Sequence, residues 1–253
     1  MPAITAVIIT HNEARNIQRC LESLLGVVDE MVVVDSLSTD ETEEICRAYR
    51  VRFFSQPWEG YSATKNFGNE QASHPFILSI DADEALSPEL KAAILSSKPD
   101  LSGGYRFARR NYYCGQWIKH GGWYPDRKLR LFPKGQAHWE GEHIHEQLVP
   151  DSGVEINALE GDLLHYTNHS LEDHLERADR YATLHAQLLF TSGKKANWVR
   201  LWLVPFYRFL RMYFLRQAFR EGYLGFQLSK VSAFAVFLKY AKLKHLWDEQ
   251  AKG

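Results

Sequence analysis

Cysteine is scarce in this chain of 253 residues. Its three cysteines, Cys20, Cys46 and Cys114, are unclustered, and no two of them share the CxxC spacing of a metal or redox motif. An odd, scattered set argues against a disulfide framework and against a structural zinc site. It is typical of a protein that works in a reducing compartment.

Glycine-rich phosphate-binding motifs are also absent. The sequence contains neither GxxxxGK[ST] nor GxGxxG, so it lacks the standard P-loop and Rossmann phosphate cradles. Any phosphate that this chain binds would therefore have its charge met by a metal ion together with lysine or arginine side chains.

Long apolar runs are missing as well. No stretch of the C-terminal region reaches the ~20 uncharged apolar residues of a transmembrane helix. The N-terminus, MPAITAVIIT, lacks the basic start and long apolar core of a signal peptide. We therefore expect a cytoplasmic protein. Without internal repeats or low-complexity tracts, its length suits one large domain or one domain with an appendage.

The net charge of −1 hides a strong asymmetry along the chain. Between Lys194 and His245 there are eleven basic residues and one acid, Glu221, whereas residues 1–193 carry 18 basic and 28 acidic residues. Basic and aromatic residues interleaved in this way are typical of helices lying on an anionic membrane surface. Contact with a second copy in a homo-oligomer is the alternative. No nucleic-acid motif is present, so we expect no nucleic-acid partner.

The first hundred residues alternate between strand and helix patterns. Apolar, β-branched runs lie at 3–10, 30–34, 51–55 and 76–80, and helical spacing lies at 14–25, 39–49 and 62–72. This alternation predicts βαβ units and an α/β fold with a mostly parallel sheet. Shorter strands at 101–165 predict an added antiparallel layer, and the chain reads as helical from residue 170.

Polar residues follow three of the predicted strands, where ligands of such sheets bind. They are Thr10, Asn12 and Glu13 after the first strand, Asp35 after the second, and Asp81 and Asp83 after the fourth. Alternation along an extended chain would place Asp81 and Asp83 on one side. Two such carboxylates suit Mg²⁺ or Mn²⁺, which in turn binds diphosphate. The alternative is a pair of helix caps, although Ser87 already offers a cap.

Three of the other candidates have a structural interpretation beside the functional one. Asn12 either holds a nucleotide or caps the helix predicted at 14–25. Asp35, at its strand tip, is free to accept a hydrogen bond from a base imide, while its neighbours cap the next helix. Lys65, on the third predicted helix, either approaches phosphates or is simply solvated.

Four motifs together resemble the nucleotide-binding half of the family 2 inverting glycosyltransferases, which have the GT-A fold. In order along the chain they are THNE, VVVDSLSTDET, ATKNFG and ILSIDADE. The later runs HGGWYPDRKLRLF, HIHEQL and LLHY look like the branch that contains lipopolysaccharide core glucosyltransferases. One departure is Leu37, which stands where the family loop usually has glycine. The resemblance implies a GT-A domain at 1–168, with a nucleotide-binding half at 1–100 and an acceptor half at 101–168, followed by a basic, aromatic helical region at 169–253.

The resemblance also implies an activity. A family member of this kind would use Mg²⁺ or Mn²⁺ to move a hexose with inversion from a nucleotide sugar, UDP-glucose or similar, to a lipid-linked glycan such as lipopolysaccharide core. It would work on the inner face of the cytoplasmic membrane. A polyprenyl-phosphate glycosyltransferase is one alternative. A sugar nucleotidyltransferase is another, but it usually has a glycine-rich basic loop after its first strand, where this chain has THNEARN.

Carried onto matching positions, the resemblance assigns the donor site. Glu13 and Asp35 would hold the uridine, and Asp81 would approach the ribose or the metal. Asp83 would ligate the metal, and Lys65 would lie near the diphosphate or the donor sugar.

The catalytic base would be a glutamate near the end of the acceptor half, since inversion in one displacement needs a carboxylate to take the acceptor proton. Glu146 is the first choice, and Glu142 and Glu140 are competitors. His165 would complete the metal shell or contact the diphosphate, unless it is a structural histidine.

Two arginines complete the set of candidates. Arg127 and Arg130 are expected to share one face of a strand. From there they would hold an anionic acceptor or the leaving phosphate through bidentate contacts.

Overall fold

A computed structural model describes residues 1–141 and 146–251. The chain divides into two compact units, Met1–Arg110 with Asp126–Tyr166, and Asn111–Pro125 with Thr167–Gly253. The domain boundary predicted at 168 lies two residues beyond the end of the first unit. Residues 111–125, expected in the acceptor half, belong instead to the unit that holds the C-terminal helices.

The described strands form one nine-stranded mixed sheet and a separate hairpin. They are β1 (Ile4–Thr10), β2 (Glu30–Asp35), β3 (Val51–Ser55), β4 (Phe76–Asp81), β5 (Glu84–Leu86), β6 (Gly104–Tyr113), β7 (Gln116–Trp117), β8 (Asp126–Pro133), β9 (Ala137–Glu140), β10 (Gln147–Pro150) and β11 (Ile156–Asn168). The sheet runs β3-β2-β1-β4-β8-β6-β11-β5, with β7 beside β6, and β9 pairs with β10. The first four strands are parallel and β8 is antiparallel to β4, which confirms the predicted α/β class with an antiparallel addition.

The described helices are α1 (Ile17–Leu24), α2 (Thr42–Arg47), α3 (Tyr61–Gln71), α4 (Pro88–Ser97), α5 (Leu171–Thr191), α6 (Val204–Leu210) and α7 (Gly222–Gln250). Short 3-10 segments lie at Lys98–Asp100 and Ala218–Glu221. Two more widely wound stretches, Val199–Leu203 and Arg211–Leu215, flank α6. No helix within 1–141 or 146–251 combines the length and the apolar character needed to cross a membrane.

The strands β1, β2 and β4 are rich in valine and isoleucine because helices cover both faces of this part of the sheet. Ile8 and Ile80 point into one buried cluster with α1 and α4. Val7 and Val34 belong to the cluster on the opposite face. There Gly68 lets α3 lie directly against β1, since a Cβ at this position would come within 2.5 Å of Val7 Cγ1.

Strand register brings the polar clusters to one edge of the sheet. Thr10 of β1 pairs with Asp35 of β2, and Ile9 pairs with Asp81 of β4. The last residues of three parallel strands are therefore neighbours, as the sequence predicts.

In the second unit, helix α5 begins at a capping box in which Ser170 and Asp173 each bind the other's backbone N–H. Helix α5 packs against α7. Glu221, buried at the start of α7, accepts hydrogen bonds from the backbone N–H groups of Lys119 and His120 at 2.9 and 2.8 Å. It thereby fixes the 116–121 segment of the same unit.

Candidate active site

The loops after β1 and β2 are joined by Asn12. Its backbone N–H donates to Ser38 Oγ at 2.8 Å, and its Oδ1 accepts from the backbone N–H of Thr39 at 2.8 Å. The cap of α1 is Asn16, so the capping interpretation of Asn12 is wrong. A φ of 53° at Asn12 suits asparagine, which tolerates the left-handed region.

Helix α1 starts later than predicted because the preceding residues form their own turn. The carbonyl of Glu13 accepts from the N–H groups of Asn16 and Ile17 at 2.9 Å. The Glu13 side chain accepts from Asn16 Nδ2 at 2.8 Å. Thr10 lies just before this turn, and its hydroxyl is buried without a hydrogen-bond partner among the described residues. These two side chains form the β1 side of the edge.

Asp35 is buried and already hydrogen-bonded. Its Oδ2 accepts from the backbone N–H of Ser38 at 2.8 Å, and its Oδ1 accepts from the Ser38 hydroxyl. The expectation that the Asp35 carboxylate is free is therefore wrong. The imide of a base would have to donate to an oxygen that already accepts a hydrogen bond from Ser38. Between these two residues Leu37 adopts a φ of 58° while its side chain is 53% exposed. The loop thus keeps a glycine-type conformation although the residue is leucine.

Asp81 lies at the centre of a buried charge cluster. Lys65 Nζ is 2.9 Å from its Oδ1, and Arg130 Nη2 is 2.9 Å from its Oδ2. The same Arg130 nitrogen lies 2.9 Å from Glu84 Oε1, while Glu84 Oε2 accepts the backbone N–H of Asp81 at 3.0 Å. Burial alone would raise the pKa of Asp81, but Lys65 and Arg130 hold it well below its usual range. The acidic run at the end of β4 is therefore compensated by two cations of the protein itself.

Lys65 is 2% exposed, so the interpretation as a solvated lysine is wrong. Its Nζ lies 4.1 Å from the ring centroid of Trp139, a cation–π distance. The next residue on α3, Asn66, accepts from the backbone N–H of Trp139 at 2.8 Å and donates to its carbonyl at 2.9 Å. Two adjacent helix residues thus fix β9 beside the charge cluster.

The three predicted metal ligands are not assembled into one site. Asp83 Oδ2 lies 3.1 Å from His165 Nε2, whereas Asp81 is engaged by Lys65 and Arg130. No set of three acidic, histidine or cysteine side chains within the described residues is arranged as a metal site. The strand β4 ends at Asp81, so the alternation that would place Asp83 on the same side does not continue.

Asp83 and His165 nevertheless bring two possible ligands of a divalent cation together. Asp83 Oδ2 lies 3.1 Å from His165 Nε2, the separation of an ordinary hydrogen bond. A carboxylate and an imidazole are both ligand types that Mn²⁺ accepts, so a cation bound here would replace that hydrogen bond. Such ions usually keep several waters and bind substrate phosphates in addition to one or two protein ligands.

The candidate bases have different surroundings. Glu146 Oε1 lies 3.9 Å from Lys65 Nζ, and its side chain is partly accessible. Glu140 is exposed and pairs instead with His138 at 2.7 Å. Glu142 lies outside the described residues. Of the two described candidates, Glu146 is the one that contacts the charge cluster.

The expectation that Arg127 and Arg130 share a face is wrong. Residues three apart on a strand point to opposite sides, and Arg127 is exposed whereas Arg130 is buried. Beyond its contacts with Asp81 and Glu84, Arg130 has Nε and Nη1 buried without an acceptor among the described residues. The indole N–H of Trp139 is also buried without an acceptor among the residues that the structure describes.

Sequence reasoning missed the roles of Glu84 and Arg109. Arg109 Nη2 lies 2.8 Å from Asp126 Oδ2, and its Nη1 lies 3.4 Å from Glu84 Oε1. Glu84 was visible as the third acid of the run after β4. Arg109 sits in β6, and no local pattern separates it from the neighbouring Arg110.

Comparison with known proteins decides the family. The family model "Glycosyl transferase family 2" matches residues 5–145. The lipopolysaccharide core biosynthesis glycosyltransferase LpsC of Rhizobium meliloti (strain 1021) is 35% identical over 248 residues, covering 95% of this chain and 91% of LpsC. The chain belongs to glycosyltransferase family 2.

Two further matches extend over nearly the whole of this family 2 glycosyltransferase. An uncharacterized glycosyltransferase, RT0209, of Rickettsia typhi (strain ATCC VR-144 / Wilmington) is 33% identical over 97% of this chain and 88% of its own. A crystal structure of S. aureus TarS 1–349 is 16% identical, with a TM-score of 0.47, and the match covers 98% of this chain and 92% of that chain.

Proposed function

We propose that this family 2 glycosyltransferase moves a hexose, with inversion, from a UDP-sugar such as UDP-glucose to a lipid-linked glycan such as lipopolysaccharide core. The observation that carries the proposal is the cluster at one sheet edge, where Asp81, Lys65 and Arg130 meet beside Glu146. The acceptor class is supported by LpsC, which is named for lipopolysaccharide core biosynthesis and covers 95% of this chain.

The nucleotide would bind across the loops after β1 and β2. Glu13 and Asp35 would accept hydrogen bonds from the uridine, and the unpartnered hydroxyl of Thr10 is a further group for it to contact. Asn12 would act indirectly, because it joins the two loops through Ser38 and Thr39.

Asp83 and His165 would hold the divalent cation. When bound there, Mg²⁺ or Mn²⁺ would offset the charge that develops on the leaving diphosphate. Asp81 would act through the charge cluster, because Lys65 and Arg130 each lie 2.9 Å from one of its oxygens.

The displacement needs a base and a way to accommodate negative charge. Glu146 would take the proton of the acceptor hydroxyl as that oxygen bonds to the anomeric carbon. The bond from this carbon to the diphosphate would break on the opposite face, and its electron pair would leave with the phosphate oxygen. Arg130 would help to stabilise the anion, since its Nε and Nη1 have no acceptor among the described residues.

The lipid on the acceptor would bring the enzyme to the inner face of the cytoplasmic membrane. Arg127 is exposed on β8 and is a candidate for an anionic group of the acceptor. A polyprenyl phosphate in place of a glycan would also present a lipid, together with a single phosphate. Assays with both acceptor classes therefore separate the two possibilities.

Calorimetric titration with UDP, GDP and their sugars, each with Mn²⁺ or with chelator, tests the donor. We expect one UDP-sugar to bind, and to bind more weakly once the metal is removed. Asp83→Ala should abolish the metal effect, while Asp126→Ala, which removes an acid that pairs with Arg109, should retain it. Binding of a GDP-sugar alone would replace the donor class, and metal-independent binding by the wild type would exclude the Asp83–His165 assignment.

A further inference from the structure

Exposed apolar side chains are concentrated in one part of the second unit. Of the eighteen large apolar side chains exposed among the described residues, twelve lie between Trp198 and Phe234. Among them Trp202 is 66% exposed and Tyr223 is 75% exposed. Large contiguous apolar patches are rare on monomeric soluble proteins, and they usually mark interaction sites.

The helix from 198 to 215 presents these side chains in rows. Trp198, Trp202 and Phe206 are four residues apart, so they lie along one side of the helix, and Leu203 and Tyr207 form a second row. The buried side of the same helix is marked by Pro205 and Met212. The helix therefore carries apolar side chains on its outward side as well as on its packed side.

Positive charge accompanies the exposed apolar rows. Arg208, Arg211, Arg216 and Arg220 are all exposed in this stretch. The only acid between Lys194 and Trp247 is Glu221, and it is buried and bound by Lys119 and His120. No exposed carboxylate of the segment therefore neutralises these arginines.

We propose that this basic aromatic surface, the exposed side chains between Trp198 and Tyr223, docks on an anionic phospholipid bilayer. Aromatic groups would enter the headgroup–acyl boundary while the arginines bind lipid phosphates. Charge favours this occupant over a symmetric dimer in which two such surfaces face each other, because two positively charged surfaces would repel each other. Docking would bring the enzyme to the lipid-linked acceptor proposed above, and its role in sugar transfer rests on that proposed function. Vesicle binding, however, is measured without sugar transfer.

Sedimentation of the full chain with vesicles tests the proposal. We expect binding to vesicles containing about one third phosphatidylglycerol and little binding to pure phosphatidylcholine. Since a basic residue near an anionic surface contributes about fivefold in binding, Arg208→Gln/Arg211→Gln should bind about 30-fold more weakly. Trp202→Ser/Phe206→Ser should also weaken binding, and the loss should remain at high salt.

Matched variants elsewhere provide the controls. Arg50→Gln/Arg106→Gln makes the same change in net charge at exposed positions of the first unit, and Leu95→Ser/Leu175→Ser removes exposed apolar groups outside the surface. Both should bind vesicles like the wild type, and thermal unfolding should confirm that every variant is folded.

Two results would overturn the proposal. In the first, the wild-type protein stays in solution with anionic vesicles and forms a dimer, and Trp202→Ser/Phe206→Ser disrupts that dimer. The partner of the surface would then be a second copy of the chain. The other is equal loss of binding in the control variants. Transfer to a lipid-free acceptor should survive in the surface variants, so failure of the docking surface is distinguishable from failure of the proposed activity.

Discussion

Glu146 and Glu140 have the same side chain in different surroundings, and this difference predicts their roles. Glu146 lies 3.9 Å from the buried ammonium of Lys65, whereas Glu140 pairs with His138 at the surface. We expect Glu146→Gln to reduce transfer by about 10²- to 10⁴-fold, the range for loss of a general base. Because glutamine keeps the size and polarity of the side chain, calorimetric binding of the donor should change little.

Glu140→Gln is the matched control and should leave transfer near the wild-type rate. If Glu140→Gln abolished transfer while Glu146→Gln remained active, the base would be Glu140. If both variants remained active and Glu142→Gln did not, the base would lie in the segment between the described ranges.

Leu37 predicts an effect on stability. A left-handed conformation costs an L-residue about 1–2 kcal/mol, and glycine avoids this cost while losing about 0.5–1 kcal/mol in chain entropy. Leu37→Gly should therefore raise the free energy of unfolding by about 0.5–1 kcal/mol. Leu25 is a close match, being 54% exposed at an ordinary φ of −58°, so Leu25→Gly should lower stability. Denaturant unfolding measures both free energies, and a change of the same sign in Leu37→Gly and Leu25→Gly would show that the conformation of Leu37 is not the cause.

Single residues also show where sequence reasoning reached its limit. The sequence placed Asp35 and Asp81 at strand ends, where the structure has them, because strand ends can be recognised locally. The burial of Lys65 could not be predicted, since its contacts with Asp81 and Trp139 join residues far apart in sequence. The same holds for the bond between Asp35 and Ser38, which depends on the turn geometry of the loop.

At the scale of elements, we expect the stability of the protein to depend on pH through His174 of helix α5. Burial, together with the charge of Arg177, lowers the pKa of His174 to about 4, and its Nδ1 lies 3.0 Å from the hydroxyl of Tyr113. An unfolded histidine, with a pKa near 6.5, takes up a proton as the pH falls through this range, and the folded one does not. The unfolded state then binds more protons, so stability falls between about pH 6.5 and pH 4.

Relative to pH 8, this linkage should cost roughly 2 kcal/mol of unfolding free energy at pH 5. Urea unfolding across the range measures it, and His174→Gln should flatten that part of the pH profile whatever its own stability. His245→Gln, at an exposed site, should leave the profile unchanged. A profile with the same slope in the His174 variant would assign the effect to another group.

The elements themselves were predicted unevenly. Strand β3 falls at its predicted bounds, and β4 extends one residue beyond them, because apolar, β-branched runs are local signals. Helices α1 and α2 are shorter than predicted because side chains near their starts bind backbone groups instead. Asp40, for example, accepts the N–H groups of Ala14 and Thr42 at 3.1 Å. Capping of this kind depends on two loops meeting, which helical spacing alone does not reveal.

At the scale of the whole molecule, charge segregation predicts salt-dependent self-association. The net charge is only −1, yet residues 1–193 have ten more acids than bases while Lys194–His245 has ten more bases than acids. At low ionic strength the basic segment of one copy should attract the acidic part of another, and this attraction should be screened at about 0.3 M salt. Sedimentation velocity should show larger species at low salt and monomer at high salt. Association that strengthens with salt would instead indicate apolar contact.

Helix α3 places Lys65 and Asn66 on consecutive positions, one facing the charge cluster and the other holding the backbone of Trp139. Each residue added to or removed from a helix turns everything beyond it by about 100°. An insertion or deletion between Tyr61 and Lys65 would therefore rotate both side chains away from their partners at once. This turn of helix should therefore remain fixed in length, and length variation among related chains should be confined to the loops on either side of α3.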